Sequence, residues 1–287
     1  MEAYLDHAAS TPARSEVVEA MLPWLAEHPG NPSGSHRLAR EARRAIDDAR
    51  DAVAALLGAD PGDVVFTSGG TEADNLAVDG VLGIRGGVAV CGATEHPAVL
   101  DPVRLSGGVV VPTDAGGRID LGALADALDA IADVRLVSVM TANNETGVVN
   151  PVPEAAALVA EHAPEALLHT DAVQATAWLD LAEACRGAQL VSITGHKFGG
   201  PKGAGALVLR EGATVAPMLR GGGQERGRRA GTENVPGIAG FGAAARAARE
   251  GLTDFARLGR WRERIENRLR QHADSRVYGF GAPRLAN

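Results

Sequence analysis

The chain of 287 residues contains two lysines, Lys197 and Lys202, and both lie in the stretch ITGHKFGGPKG. Apart from histidines, every other basic side chain is an arginine. A guanidinium stays protonated in a protein, whereas a lysine amine can lose its proton and attack a carbonyl carbon. Lys197 follows the apolar run QLVSI and therefore stands at the end of an expected strand. Lys202, beyond two glycines and a proline, reads as a turn or ion-pair residue with no catalytic role. The count alone fits equally well with two lysines on a solvated loop.

Other chemically able residues also follow apolar runs. After DVVFTS come Gly70 and Thr71 at a helix start, where small residues and the positive end of the helix suit a phosphate, or simply make a capped helix. After GVAVCG comes His96, which alone reads as well as a structural histidine. RLVSVMT is followed by the amides Asn143 and Asn144, able to hold a polar ligand or to form a turn. ALLHT ends on Asp171, with Gln174 three residues on, and a carboxylate there needs a cationic or hydrogen-bonding partner. In an open parallel sheet, ligands bind beyond the carboxyl ends of the strands, so these groups share one edge. Pyridoxal 5′-phosphate (PLP) answers all of them together. Its aldehyde suits the lysine, its ring nitrogen the aspartate, its phenolic oxygen an amide, its ring face the imidazole and its phosphate the helix terminus.

The elements that must position these groups are legible as well. Seven short apolar runs, at 63–68, 87–92, 108–113, 135–141, 166–171, 189–195 and 204–210, read as strands. Several are separated by Ala-rich stretches of helical period, such as 72–83, 120–132 and 151–163. The alternation predicts an α/β fold with a mostly parallel sheet buried on both faces. After Arg220 the sequence becomes Gly- and Arg-rich, then helical from Gly237 to about His272, and SRVYGFGAPRLAN reads as the start of a strand region. A large domain over residues 1–250 is expected, with about 1–15 packing on a smaller domain that begins at 251–287 and is incomplete. The net charge of −8 without a basic run argues against nucleic acid. The absence of a long apolar segment or signal-peptide pattern predicts a cytoplasmic protein without membrane partners. Cys91 and Cys185 have no metal-ligand spacing and read as incidental thiols.

YLDHAASTP, GNPSGSHR, FTSGGTEADN, TEHPAVL, NNETGVV, HTDAVQ, SITGHKFGGPKGAGAL and GGGQERGRRAGTEN occur in this order. The set resembles the group I cysteine desulfurases of the NifS/IscS type, in the class V branch of the fold-type I PLP-dependent transferases. The resemblance implies that Lys197 joins covalently to PLP and later moves the substrate Cα proton. His96 would lie over the ring and take part in proton transfers, and Asp171 would pair with the ring nitrogen. Gln174 would bond the phenolic oxygen, and Asn144 would hold cofactor and substrate. Gly70, Thr71, Thr194 and His196 would bind the phosphate, with Thr232 reaching in from the partner of a homodimer. The implied reaction converts L-cysteine to L-alanine, passing sulfur as an enzyme persulfide to an acceptor or Fe–S scaffold protein. Neither the loop with the family's persulfide cysteine nor its carboxylate-gripping arginine matches a segment here, so a chain shortened at its C-terminus is expected. The alternatives are a PLP-binding protein without desulfurase activity and another class V aminotransferase or lyase.

Overall fold

The computed structural model describes residues 3–251, 255–272 and 274–286. Residues 1, 2, 252–254, 273 and 287 lie outside the described residues, so the expected junction between 250 and 251 falls just before one of these gaps. Each apolar run forms a strand: β1 (Val64–Thr67), β2 (Val88–Gly92), β3 (Val109–Val111), β4 (Val134–Ser138), β5 (Leu167–Asp171), β6 (Leu190–Thr194) and β7 (Gly205–Leu209). They make one seven-stranded sheet in the order β1-β7-β6-β5-β4-β2-β3. β2, β3, β4, β5 and β6 run parallel, and β7 pairs antiparallel with both β6 and β1. The fold is thus the mostly parallel α/β arrangement expected, with one reversed strand that follows the lysine loop.

The helices are α1 (Ser15–Ala26), α2 (Arg37–Leu57), α3 (Gly70–Arg85), α4 (Pro97–Leu105), α5 (Leu121–Ala130), α6 (Val152–His162), α7 (Leu181–Ala184), α8 (Val235–Glu250) and α9 (Phe255–Leu269). Strand residues alternate between two cores because successive side chains point to opposite faces. Val65, Cys91, Leu136, Leu190 and Leu207 pack under α3 and α4, while Phe66, Val90, Val137, Leu168, Ile193 and Val208 pack against α2, α5, α6 and α8. α8 lies against both α1 and α2. A Cβ on Gly242 would stand 2.6 Å from the Cβ of Ala49, so only glycine permits that close approach to α2.

The Gly- and Arg-rich segment protects the open edge of the sheet. Glu225, almost fully buried, accepts from both terminal nitrogens of Arg50 at 2.9 and 2.7 Å and from the backbone N–H of Phe66 at 3.1 Å. Arg50 and Arg228 donate to the carbonyl of Val64 at 2.6 and 3.0 Å. The free backbone groups of edge strand β1 are therefore answered by side chains rather than left to pair with another strand. Glu225 and Arg226 hold left-handed backbone, φ 47° and 59°, a conformation that the buried pair pins in place. Replacing Glu225 with Ala leaves the Arg50 guanidinium buried without its counter-charge, and we expect a loss of about 3–5 kcal/mol of stability. Urea unfolding checks this, and an unchanged midpoint would show that the pair does not hold the edge.

The C-terminal piece departs from its expected strand. Among the described residues it forms turns and a single bridge, Val148 with Arg284, because Gly279 and Gly281 adopt positive φ and Pro283 has no N–H to donate. Leu285 N–H donates to Gly147 O at 2.8 Å, and Arg284 pairs with Glu266 of α9 at 2.6 Å. No helix among the described residues is long and apolar enough to cross a membrane.

Candidate active site

A cavity of about 140 Å³ opens at the carboxyl ends of the parallel strands. Its lining includes Gly70, Thr71, His96, Asn144, Asp171, Gln174, Thr194, His196 and Lys197. Nine of the ten residues singled out from the sequence thus meet in one place. Thr232 does not: it lines a separate cavity with Thr67, Ser68, Arg229 and Glu233.

Local structure explains each placement. β6 runs to Thr194, and a tight 3-10 turn over Gly195–Lys197 reverses the chain toward β7, so Lys197 is thrust up at the sheet edge. The N-terminal segment closes over this turn. Thr11 N–H donates to His196 O at 2.8 Å, Gly199 N–H to Thr11 Oγ1 at 2.7 Å, and Lys197 Nζ to Ala8 O at 2.6 Å. Burial pulls the Lys197 amine below its ordinary pKa of 10.5, opposed by the charges of Asp171 and Asp6. Burial thus eases the loss of the proton that the amine must give up to act as a nucleophile.

Asp171 ends β5 and is buried, and burial raises its carboxyl above the usual range. The Val173 N–H, donating to Oδ1 at 2.8 Å, and the facing His96 and Lys197 act in the opposite direction. His96 caps α4, its Nδ1 accepting from Ala98 N–H at 3.1 Å. In the neutral ring this leaves the proton on Nε2. Of the two asparagines, Asn143 makes the turn: its Oδ1 accepts from the N–H groups of Glu145 and Thr146 at 3.0 and 2.9 Å. Asn144 is thereby placed on the cavity wall. Gln174 is buried, with Oε1 lacking a partner. Gly70 opens α3, and a Cβ there would meet Val173 Cγ2 at 2.8 Å, so the helix terminus stays bare toward the cavity.

Sequence reasoning passed over three buried groups beneath this edge. Asp74 of α3 also lines the cavity, with Oδ1 unpartnered and 3.6 Å from His169 Nε2. His169 sits between Ser138 Oγ at 2.8 Å and Ser192 Oγ at 2.9 Å, and burial takes its pKa down to about 3. Glu95 accepts from the Met140 N–H, and burial followed by the charge of Asp171 raises it to about 8. The signal for His169 was its position two residues before Asp171 on one strand, which puts both on the α3 face. For Asp74 it was a carboxylate among Ala73, Leu76 and Ala77 on a helix with a buried face.

The chain matches the aminotransferase class-V family over residues 3–286. It is 44% identical to a cysteine desulfurase of Rhodobacter capsulatus, across 99% of this chain and 75% of that protein. It is 43% identical to the cysteine desulfurase IscS of Dictyoglomus turgidum, across 86% of this chain and 64% of that protein. The chain thus spans about two thirds to three quarters of the length of these relatives. Among solved structures, a NifS-like protein superposes with a TM-score of 0.93 at 33% identity, covering all of this chain and 80% of the other. A protein described as SspA in complex with cysteine superposes with a TM-score of 0.84 at 34% identity, covering 98% and 81%.

Proposed function

Since the chain belongs to the cysteine desulfurases of the aminotransferase class-V family, we propose that its cavity binds PLP and converts L-cysteine to L-alanine, delivering the sulfur to a thiol. The observation that carries this reading is the meeting of Lys197, Asp171, His96, Gln174 and the bare start of α3 in one cavity. The residues fit the cofactor in kind: the unpartnered buried Oε1 of Gln174 marks a polar contact still to be made. Lys197 would hold PLP covalently, and Gly70, Thr71, Thr194 and His196 its phosphate. Gln174 and Asn144 would hold its ring substituents and the substrate. When bound, PLP supplies an electron sink for charge developing at the substrate Cα.

The chain's own residues supply the rest. Lys197, held on a tight turn and with its pKa lowered by burial, would take and return the Cα proton. Asp171, facing His96 and Lys197, would supply the negative charge that pairs with the ring nitrogen. His96 lines the cavity with Nδ1 engaged by the Ala98 N–H, which leaves Nε2 free to take part in proton transfers. The thiol of L-cysteine must leave its carbon for a second thiol, so that L-cysteine and R–SH give L-alanine and R–S–SH. Neither cysteine of this chain suits that step. Both are fully buried, and burial pushes Cys91 up to about 12 and Cys185 up to about 11, so neither offers a thiolate. The acceptor is a different thiol. We further propose a homodimer in which the partner subunit's Thr232 completes the phosphate site, and a smaller domain beginning at 251–287.

The test is alanine formation from L-cysteine by the PLP-loaded protein with a thiol reductant. Changing Cys91 and Cys185 together to Ser leaves alanine formation per folded molecule within about twofold. Its loss in the double variant would assign sulfur transfer to one of these thiols, and binding of PLP without any alanine or exchange of the Cα proton would overturn the desulfurase reading.

A further inference from the structure

Resting on the reading that the cavity holds a pyridine ring, we infer that Asp74 is a positioning residue for Asp171: it keeps a proton in the folded protein, so that the pair carries one negative charge, borne by Asp171. Asp74 is 1% exposed, lines the same cavity and leaves Oδ1 without a hydrogen-bond partner. An ionised carboxylate with a bare, buried oxygen is strongly disfavoured, whereas the protonated acid carries no charge to solvate.

Among the described residues, the groups acting on Asp74 include no cation: Lys197 and His96 line the same cavity but act on Asp171. β5 presents His169 and Asp171, the turn after β2 presents Glu95, and β6 presents the Ser192 hydroxyl. His169 is no counter-ion, since burial keeps its ring neutral to about pH 3. Asp171 differs: it accepts the Val173 N–H and faces His96 and Lys197, all of which favour its charge. Burial first, then the charges of Asp171 and Glu95, hold the Asp74 carboxyl well above the usual range. Two carboxyls sharing one environment divide a proton between them, and here the asymmetry of partners decides which keeps it. A second full negative charge would compete with Asp171 for the ring nitrogen's proton and blur its position, so a neutral Asp74 fixes the pairing on one oxygen set.

The experiment uses cofactor-free protein, so its outcome is independent of whether the cavity takes PLP. Infrared spectra at neutral pH should show the C=O stretch of a protonated carboxyl that disappears in Asp74→Asn, with a separate band lost in Glu95→Gln. The sign of the linkage gives a second readout. A carboxyl raised on folding contributes stability that is present in acid and lost as the pH rises through its folded value. The melting temperature of the unaltered protein should therefore fall toward alkaline pH, and Asp74→Asn should flatten that fall. A uniform loss of stability at every pH would mark a merely structural residue and overturn the proposal, as would an Asp74→Asn spectrum that has lost no protonated-carboxyl band. Should that variant not fold, ¹³C-labelled aspartate in the unaltered protein replaces it: one side-chain carboxyl remains protonated at neutral pH. If every aspartate ionises in the ordinary range, Asp74 holds no proton and the inference fails.

Discussion

Lys197→Ala protein mixed with PLP and treated with borohydride should carry no pyridoxyl group, and its alanine formation should fall by several powers of ten. Each power of ten is about 1.4 kcal/mol of barrier, and the variant removes both the covalent tether and the base. Lys197→Arg separates chemistry from charge. The guanidinium keeps a cation near Asp171 and can still donate to the Ala8 carbonyl, but it cannot lose its proton, so it should fail as completely as alanine. Lys202→Ala should stay near normal, since Lys202 is not among the residues of the cavity wall. The pH dependence has a stated direction: burial places the Lys197 amine below an ordinary lysine, so covalent attachment should be complete at lower pH than for an exposed amine. Peptide mass analysis of the reduced protein decides the matter. A pyridoxyl group found on Lys202 would move the nucleophile, and normal turnover by Lys197→Ala would remove it.

Most of the sheet was legible because its signal is local. A short run such as LVSIT can be buried on both faces only as a strand, and Asp171 and Lys197 stand out because charged groups interrupt such runs. The same logic, with Thr194 and His196 added by the family resemblance, pointed to nine residues that line one cavity, since parallel strands deliver their ends to one edge. What stayed hidden depends on pairing between distant strands. Ser138, His169 and Ser192 lie side by side because β4, β5 and β6 are neighbours in register, and no spacing within the chain announces that order. The role of GGGQERGRRAGTEN was hidden for a similar reason. Its Glu225 answers an arginine 175 positions away and the free edge of β1, a partnership that only the folded chain reveals. Likewise the twin amides of NNETG looked alike in sequence, and tertiary packing assigned the turn to Asn143 and the cavity to Asn144.

Asp171→Ala should retain PLP yet exchange the Cα proton of L-cysteine with D₂O slower by several powers of ten. Retention follows because the proposed phosphate-binding residues at the start of α3, Gly70 and Thr71, and the amine of Lys197 are untouched. The loss follows because a charge-assisted pair at the ring nitrogen is what lets the ring accept charge from Cα, and removing the carboxylate forfeits it. Proton exchange is the right observable, since it reports the Lys197 step without waiting for sulfur to reach an acceptor. Asp171→Asn sharpens the argument. It preserves size and the acceptor oxygen that receives the Val173 N–H at 2.8 Å, but not the charge. If charge is the active property, Asn should behave like Ala; if shape alone matters, Asn should behave like Asp. The carboxyl of Asp171 lies above the usual range through burial, so in the unaltered enzyme exchange should weaken as the pH falls through that raised value and the carboxylate takes up a proton. Asp171→Asn, having no such proton to bind, should lose that acidic limb. Near-normal exchange in Asp171→Ala would show that the ring nitrogen is served by another group, and Asp74, on the same cavity wall with its Oδ1 unpartnered, would be the residue to change next.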